Sequence, residues 1–255
     1  MARARRIALV TGGGRGLGRE IALALAREGC DVAVGARNRT QIEETAAAAR
    51  LLGARAHPVT LDVGDPASIA RAVGDTVAAL GPVDVLVNNA GVAESAPLAR
   101  TEPELWDRHM RVNARGPYLL TRAVLAGMLE RRWGRVINVA SLAGLHGSPY
   151  VTAYTASKHA LVGFTRALAT EVAGRGVTVN AICPGYAATE LVWSAARNIE
   201  KQTGKSFDEA VEALAKLNPG GRLIEPAEVA AVAAKLLHDD ATNGEALVLD
   251  GTGPP

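Results

Sequence analysis

Only two cysteines occur in this chain, Cys30 and Cys183, and they lie far apart. That excludes a disulfide framework and a thiolate metal site. Aromatic residues make up 4 % of the composition, so any core must be built from Ala, Val, Leu and Ile. The net charge is only +2, with Lys and Arg dispersed among Asp and Glu. A charge-run surface for nucleic acid is therefore not expected. The one basic run, Ala2 to Arg6, reads as a solvated tail. No apolar stretch reaches the length of a membrane span. The first apolar run stops at Val10, and glycines follow it without a cleavage pattern. No signal peptide is read there, so the expectation is a soluble protein of a reducing cytoplasm, with neither membrane nor nucleic acid as partner. His57, His109, His159 and His238 show no ligand spacing, so no metal is expected.

What is present is regular. The chain has 255 residues and 48 % hydrophobic content, enough for one large core. Short branched apolar runs alternate with helical periodicity. Strands are expected at 6–11, 31–36, 56–61, 83–87, 135–140, 177–182 and 245–249. Helices are expected at 16–28, 40–52, 66–80, 103–115, 116–132, 153–173 and 226–238, with Thr40 and Asp65 as N-caps and Pro66 in the first turn. This beat predicts an α/β fold: a single-domain, Rossmann-type, doubly wound parallel sheet of about seven strands, with helices on both faces. One domain, 1–255, is expected, with no linker. Between Ile182 and Pro226 about forty residues break the beat. Phe207, Ala210, Val211, Leu214 and Leu217 share a helical face there. The segment reads as a packed surface helix or as a small helical lid, 186–222. Its place beyond a strand's C-terminal end favours the lid, because open α/β sheets bind ligands there.

The stretch VTGGGRGLGREIA, Val10 to Ala22, holds five glycines between Gly12 and Gly18. Strand, glycine turn and helix make an anion site: helix N-terminal N–H groups face the ligand, and glycines let backbone approach a pyrophosphate. A tight turn without ligand is the plainer alternative, but the βαβ context favours a dinucleotide. The spacing is not G-x-G-x-x-G, because position 17 is Leu, and no G-K-[ST] ending makes a P-loop. It is Thr11-Gly12-x-x-x-Gly16-x-Gly18. At the end of the second strand an acid would suit the 2′-hydroxyl of NAD, whereas Arg suits the 2′-phosphate of NADP. Here Ala36 is followed by Arg37, and Arg15 lies in the glycine loop. Two guanidiniums around one dianion favour NADP(H) over NAD(H), unless both are merely solvated.

Further on, Ser141 ends a strand, Tyr154 follows thirteen positions later, and Lys158 stands one helical turn beyond Tyr154. A phenol has a pKa of about 10. A neighbouring ammonium is expected to lower it toward the range of a general acid/base.

TGxxxGxG followed by Ser…Tyr-x-x-x-Lys resembles the short-chain dehydrogenase/reductase family, and the resemblance runs from Arg6 to about Gly251. It implies Asn113 of RVNARG as a fourth catalytic position beside Ser141, Tyr154 and Lys158. It implies cofactor contacts at Gly12, Arg15, Gly16, Leu17 and Gly18, at Arg37, and at Asp62 and Val63 beside the adenine. Asn89, Ala90 and Gly91 of the NNAG turn would line the adenine-ribose side. Tyr154 and Lys158 would meet the nicotinamide ribose, and Pro184, Gly185 and Thr189 the carboxamide. His146, Tyr186 and Trp193 are possible substrate contacts, although a loop histidine is more often simply exposed and the tryptophan more often packing. Cys183 as a nucleophile lacks an evident base. The lid stretch is similar to that of β-ketoacyl thioester and polyketide reductases and of 3-hydroxybutyrate dehydrogenases. Lys201, Lys205, Lys216 and Arg222 could meet a phosphorylated carrier or a CoA. The implied activity is hydride transfer between NADP(H) and a ketone or secondary alcohol, first of all reduction of a 3-ketoacyl thioester. A secondary or cyclic alcohol dehydrogenase, and a non-catalytic NADP(H) sensor, remain alternatives. A homo-oligomer, tetramer or dimer, is carried over from the family.

Overall fold

Four apolar residues and a closing threonine, Ile7–Thr11, are buried along their whole length as strand β1. A strand covered on both faces has no polar side to show, which is why it reads as a continuous run. The computed structural model describes residues 5–253. Within them β1 is joined by β2 (Asp31–Ala36), β3 (Ala56–Thr60), β4 (Val85–Asn88), β5 (Gly134–Val139), β6 (Val177–Pro184) and β7 (Ala246–Leu249). All pair in parallel, in the order β3-β2-β1-β4-β5-β6-β7. Leu9 at the centre is in register with Ala33 on one side and Leu86 on the other. Strand order reverses between β1 and β4, which opens a crevice at their carboxyl ends.

The helices are α1 (Gly16–Arg27), α2 (Arg39–Leu51), α3 (Pro66–Ala79), α4 (Pro103–Met110), α5 (Gly116–Glu130), α6 (Thr152–Glu171), α7 (Glu190–Thr203), α8 (Phe207–Ala215) and α9 (Pro226–His238). One core packs α1, α2 and α9 against Ala8, Val10, Val32, Val34, Val85 and Val87. The other packs α3, α5 and α6 against Leu9, Ala33, Leu86, Val136 and Val179. Each fully buried aliphatic side chain contributes about 1.5–3 kcal/mol. Alternate strand residues supply the two faces.

Several boundaries differ from the sequence reading. Asn38, not Thr40, caps α2, its side chain accepting from the Gln41 amide. Asp65 caps α3 as expected, with Pro66 in the first turn. Helix 103–115 is not continuous: α4 stops at Met110, and Arg111–Arg115 form a π-helical turn leading into α5. Side-chain periodicity cannot register one extra residue in a turn, and π-turns often mark functional sites. The tail reading also fails where the structure can judge it. Arg5 bonds Asp31 and the Gly53 carbonyl, and Arg6 stacks 3.8 Å from the Trp133 ring. Residues 2–4 lie outside the described part.

The region 186–222 holds two helices rather than one. Val192, Ala196, Ala210 and Leu214 form its own small apolar cluster, with Tyr186, Trp193 and Phe207 packed against it. Helix α8 opens with a capping box between Ser206 and Glu209.

Candidate active site

The glycine loop joins the end of β1 to the first turn of α1. Helix α1 starts without a side-chain cap and without an acid in its first turn. Its orphan N–H groups and partial positive charge therefore face the crevice. Two glycines are dictated by contact. A Cβ on Gly18 would lie 2.3 Å from the Gly12 carbonyl oxygen, and Gly12 itself has φ +64° with Asn89 Nδ2 2.8 Å from where its Cβ would be. Leu17 is half-buried against the first core.

The loop is tied to the NNAG turn. Thr11 Oγ1 accepts from the amides of Asn89 and Ala90, both at 3.0 Å, and donates to the Val87 carbonyl. Asn89 Nδ2 donates to the carbonyls of Thr11 and Gly12. The reversal point of the sheet is thus stitched by side chains as well as strands.

Arg15 and Arg37 are exposed at the carboxyl ends of β1 and β2. Among the described residues neither meets a carboxylate, whereas their neighbours Arg19 and Arg39 pair with Glu20 and Glu43. Asp62, also exposed, caps the Gly64 amide. Val63 is buried where α5 begins: a Cβ on Gly116 would lie 2.7 Å from the Val63 carbonyl oxygen.

On the other side of the crevice, Ser141 follows β5 and α6 carries Tyr154 and Lys158. One turn of helix puts the Lys158 ammonium 5.8 Å from the centre of the Tyr154 ring. Lys158 is buried and donates to the Val139 carbonyl at 2.8 Å. Burial lowers its pKa to about 8. The Tyr154 phenol is pushed up, not down. Burial dominates, and the Ser141 hydroxyl beside it only partly opposes the shift. The expected acidification by Lys158 does not appear: desolvation, which disfavours any charged form, decides the direction, and the lowering influence comes from Ser141 instead. Ser141 Oγ also accepts from the Ala143 amide at 3.1 Å.

Asn113 lies in the π-turn, fully buried. Its Oδ1 accepts from the Val92 amide at 2.9 Å, and its amide hydrogens go to the Val92 carbonyl and Ser157 Oγ. A Cβ on Gly91 would come within 3.3 Å of Asn113 Oδ1 and 3.7 Å of Lys158 Nζ, so all three groups border one space.

The segment 186–222 begins where β6 ends. Pro184 closes the strand, and the Gly185 amide donates to Leu249. Thr189, at the start of α7, reaches back to the glycine loop, with its Cγ2 3.5 Å from where a Gly16 Cβ would stand. Tyr186 is half-buried and faces Tyr154 closely enough to raise its pKa further. His146 is exposed on the loop after Ser141, and Trp193 packs on Phe207 with ring centres 6.2 Å apart. Of the basic residues considered for a carrier, Lys216 pairs with Glu212 and Arg222 grips Glu228 through two bonds of 2.7 Å. Arg222 is thereby committed within the fold, whereas the Lys216 pair lies exposed on the surface.

Sequence reasoning missed Asn218. It is buried at the base of the 186–222 segment, where Oδ1 accepts from the Tyr186 amide and Nδ2 donates to the carbonyls of Tyr186 and Arg222. A Cβ on Gly185 would lie 2.1 Å from that Oδ1. The run Asn218-Pro219-Gly220 looks like a turn in sequence and gives no sign of the long-range partner of Asn218.

A family model described as short chain dehydrogenase matches residues 6–200. The chain belongs to that family. Among its short chain dehydrogenase relatives is a putative ketoacyl reductase of Streptomyces coelicolor, 39 % identical over 97 % of this chain and 95 % of the relative. The 3-oxoacyl-acyl-carrier-protein reductase FabG of Thermotoga maritima is 34 % identical over 96 % of each. Among solved structures, a variant of actinorhodin polyketide ketoreductase with NADPH superposes with a TM-score of 0.92 at 39 % identity, covering 97 % of this chain and 96 % of the other. Levodione reductase gives 0.90 at 33 % identity, with 98 % of each chain covered. The chain is thus an oxidoreductase of the short chain dehydrogenase type on a seven-stranded Rossmann-type sheet.

Proposed function

We propose that the protein reduces the keto group of a 3-ketoacyl thioester to a secondary alcohol, using NADPH in preference to NADH. The observation that carries this reading is the meeting of Ser141, Tyr154 and Lys158 at the sheet's carboxyl edge, opposite an uncapped helix N-terminus flanked by Arg15 and Arg37. Relatives named as ketoacyl reductases, and a neighbour solved with NADPH, support it.

The residues present fit the cofactor. Loop amides from Gly12 to Gly18, with Leu17, would hold the pyrophosphate, and Arg15 and Arg37 the 2′-phosphate. Asp62, Val63 and Asn89–Gly91 would take the adenosine side, and Pro184, Gly185 and Thr189 the carboxamide. Bound NADPH supplies the hydride for the carbonyl carbon. Tyr154 gives its phenolic proton to the oxygen as that oxygen becomes an alkoxide. Ser141 donates a hydrogen bond to the same oxygen and fixes its place. Lys158 would hold the ribose and stabilise the phenolate left behind. Asn113 holds the Gly91–Val92 segment beside Lys158 and borders the route by which a water would return the proton. Residues 186–222 form the substrate lid, with Tyr186, Trp193 and His146 lining its mouth. The protein works in the cytoplasm as a homotetramer.

The test is loss of NADPH absorbance with acetoacetyl-CoA, cyclic ketones and aryl ketones. Acetoacetyl-CoA is expected to give the highest kcat/KM. Turnover of cyclic ketones alone would support the cyclic alcohol dehydrogenase reading instead, and greater activity with NADH would overturn the assignment to Arg15 and Arg37.

A further inference from the structure

The segment after the NNAG turn has no regular structure, yet three alternate residues of its backbone are held. Asn113 takes both the N–H and the C=O of Val92. His109 Nε2 accepts from the Glu94 amide at 3.1 Å. The Ala96 amide donates to the Tyr150 carbonyl at 2.8 Å. His109 and Asn113 lie one turn apart across the junction of α4 with the π-turn, so a single face of that helical run grips the segment. The Arg108–Glu94 ion pair adds an exposed fastening.

His109 is fully buried and both its nitrogens are used. Nδ1 lies 2.8 Å from the Leu105 carbonyl. A carbonyl only accepts, so Nδ1 carries the hydrogen; Nε2 receives an amide N–H, so it carries none. The hydrogen-bond chemistry therefore fixes a neutral imidazole in one tautomer. That ring and the Tyr154 ring meet in a T-shaped pair, at 78° with centres 6.3 Å apart. One further feature marks the same place. Tyr150, whose carbonyl holds Ala96, has φ +66°, a left-handed conformation that side chains resist and that persists where its surroundings hold it.

We infer that His109 is a positioning residue for Tyr154, buttressing the phenol ring and clamping the 91–97 segment over it through the Glu94 amide. This rests on the reading of Tyr154 as the proton donor. His109 touches no reacting atom. It acts by limiting the ring positions open to Tyr154 and by keeping the roof of the pocket in place.

Two variants separate the clamp from simple space filling. His109→Gln reaches the Glu94 amide with its Oε1 and keeps the clamp. His109→Phe keeps an aromatic edge against Tyr154 but offers no acceptor. With a small ketone that the wild type reduces, His109→Phe is expected to lower kcat about tenfold to hundredfold, with the dissociation constant for NADPH unchanged. His109→Gln is expected to recover most of the loss. A wild-type kcat for His109→Phe, or equal losses in both variants, would overturn the inference. Should His109→Phe fail to fold, the wild-type imidazole itself decides: ¹⁵N-labelled histidine must show a ring hydrogen on Nδ1 and none on Nε2, and the opposite tautomer removes the clamp. This readout needs no turnover. A protein inactive on every carbonyl but carrying the expected tautomer would therefore count against the proposed reaction and not against the clamp.

Discussion

The two walls of the proposed site are built differently. The wall formed by β1, β4, β5 and α6 is sewn into the central sheet: Thr11 binds the NNAG turn, Asn88 reaches Asn138, Asn138 reaches Thr165, and Lys158 reaches the Val139 carbonyl. The wall formed by 186–222 has its own small apolar cluster. It joins the main body through a bridge between Ala187 and Ile224 and through the Gly220 amide, which donates to the Asp250 carbonyl, while Asn218 ties its own two ends, Tyr186 and Arg222, together. Leu191 and Leu217 remain exposed on it. The difference suits the two tasks proposed for them. Proton transfer needs groups held within tenths of an ångström, which a cross-linked sheet edge provides. Accommodating a substrate needs a surface that can be rebuilt without disturbing the sheet.

The strongest way to break this division is at the sheet wall. Tyr154→Phe removes the proton donor while leaving ring and packing, and is expected to lower kcat about a thousandfold. NADPH binding, followed by fluorescence, should stay near wild type. Unaltered turnover would refute the assigned chemistry.

Arg15→Ala and Arg37→Ala test the cofactor side. Each is expected to raise the KM for NADPH about tenfold or more, from the loss of a charge-assisted bond, and to leave that for NADH unchanged. Parallel loss with both cofactors would mean that the arginines only support the loop.

Asn218→Ala sharpens the contrast from the lid side. Unpartnering the Tyr186 and Arg222 backbone groups is expected to cost about 1–3 kcal/mol. Thermal melting should show the loss, and limited proteolysis should cut within 186–222. The KM for a thioester should rise more than that for a small ketone. An equal effect on both substrates would place Asn218 with the chemistry rather than with the lid.

The smallest effect concerns stability and runs opposite to function. Burial depresses Lys158 from 10.5 to about 8. Below pH 8 the ammonium is charged in both folded and unfolded chains, and its burial opposes folding in full. Above pH 8 the folded chain loses that proton while the unfolded chain keeps it, so the penalty fades until about 10.5. Lys158→Met should therefore be inactive yet more stable at pH 7 by about 2 kcal/mol, once the lost Val139 bond is counted. The gap in melting temperature should narrow as pH rises from 8 to 10. A gap independent of pH would mean that the gain comes from packing alone.

Much of the architecture was legible because it is periodic. A strand buried on both faces must be apolar throughout, so β1, β2 and β4 announce themselves. A glycine loop between strand and helix can be recognised because only glycine survives the contact between Gly12 and Gly18. Ser141, Tyr154 and Lys158 were readable through their fixed spacing on one strand end and one helix. Less legible were the π-turn around Asn113, the cap at Asn38, and the tasks of His109 and Asn218. Each depends on a partner distant in sequence or on one extra residue in a turn, and neither leaves a period.

The sequence by itself determined the alternation of strands and helices and pointed to the glycine loop and the proposed catalytic set, because local spacing and residue type carry that information. Only the tertiary structure decided the protonation balance of Tyr154 and Lys158, because desolvation depends on everything packed around a group. It also decided which basic side chains face the crevice unpaired, and which, like Arg222, are already held by a carboxylate of the fold.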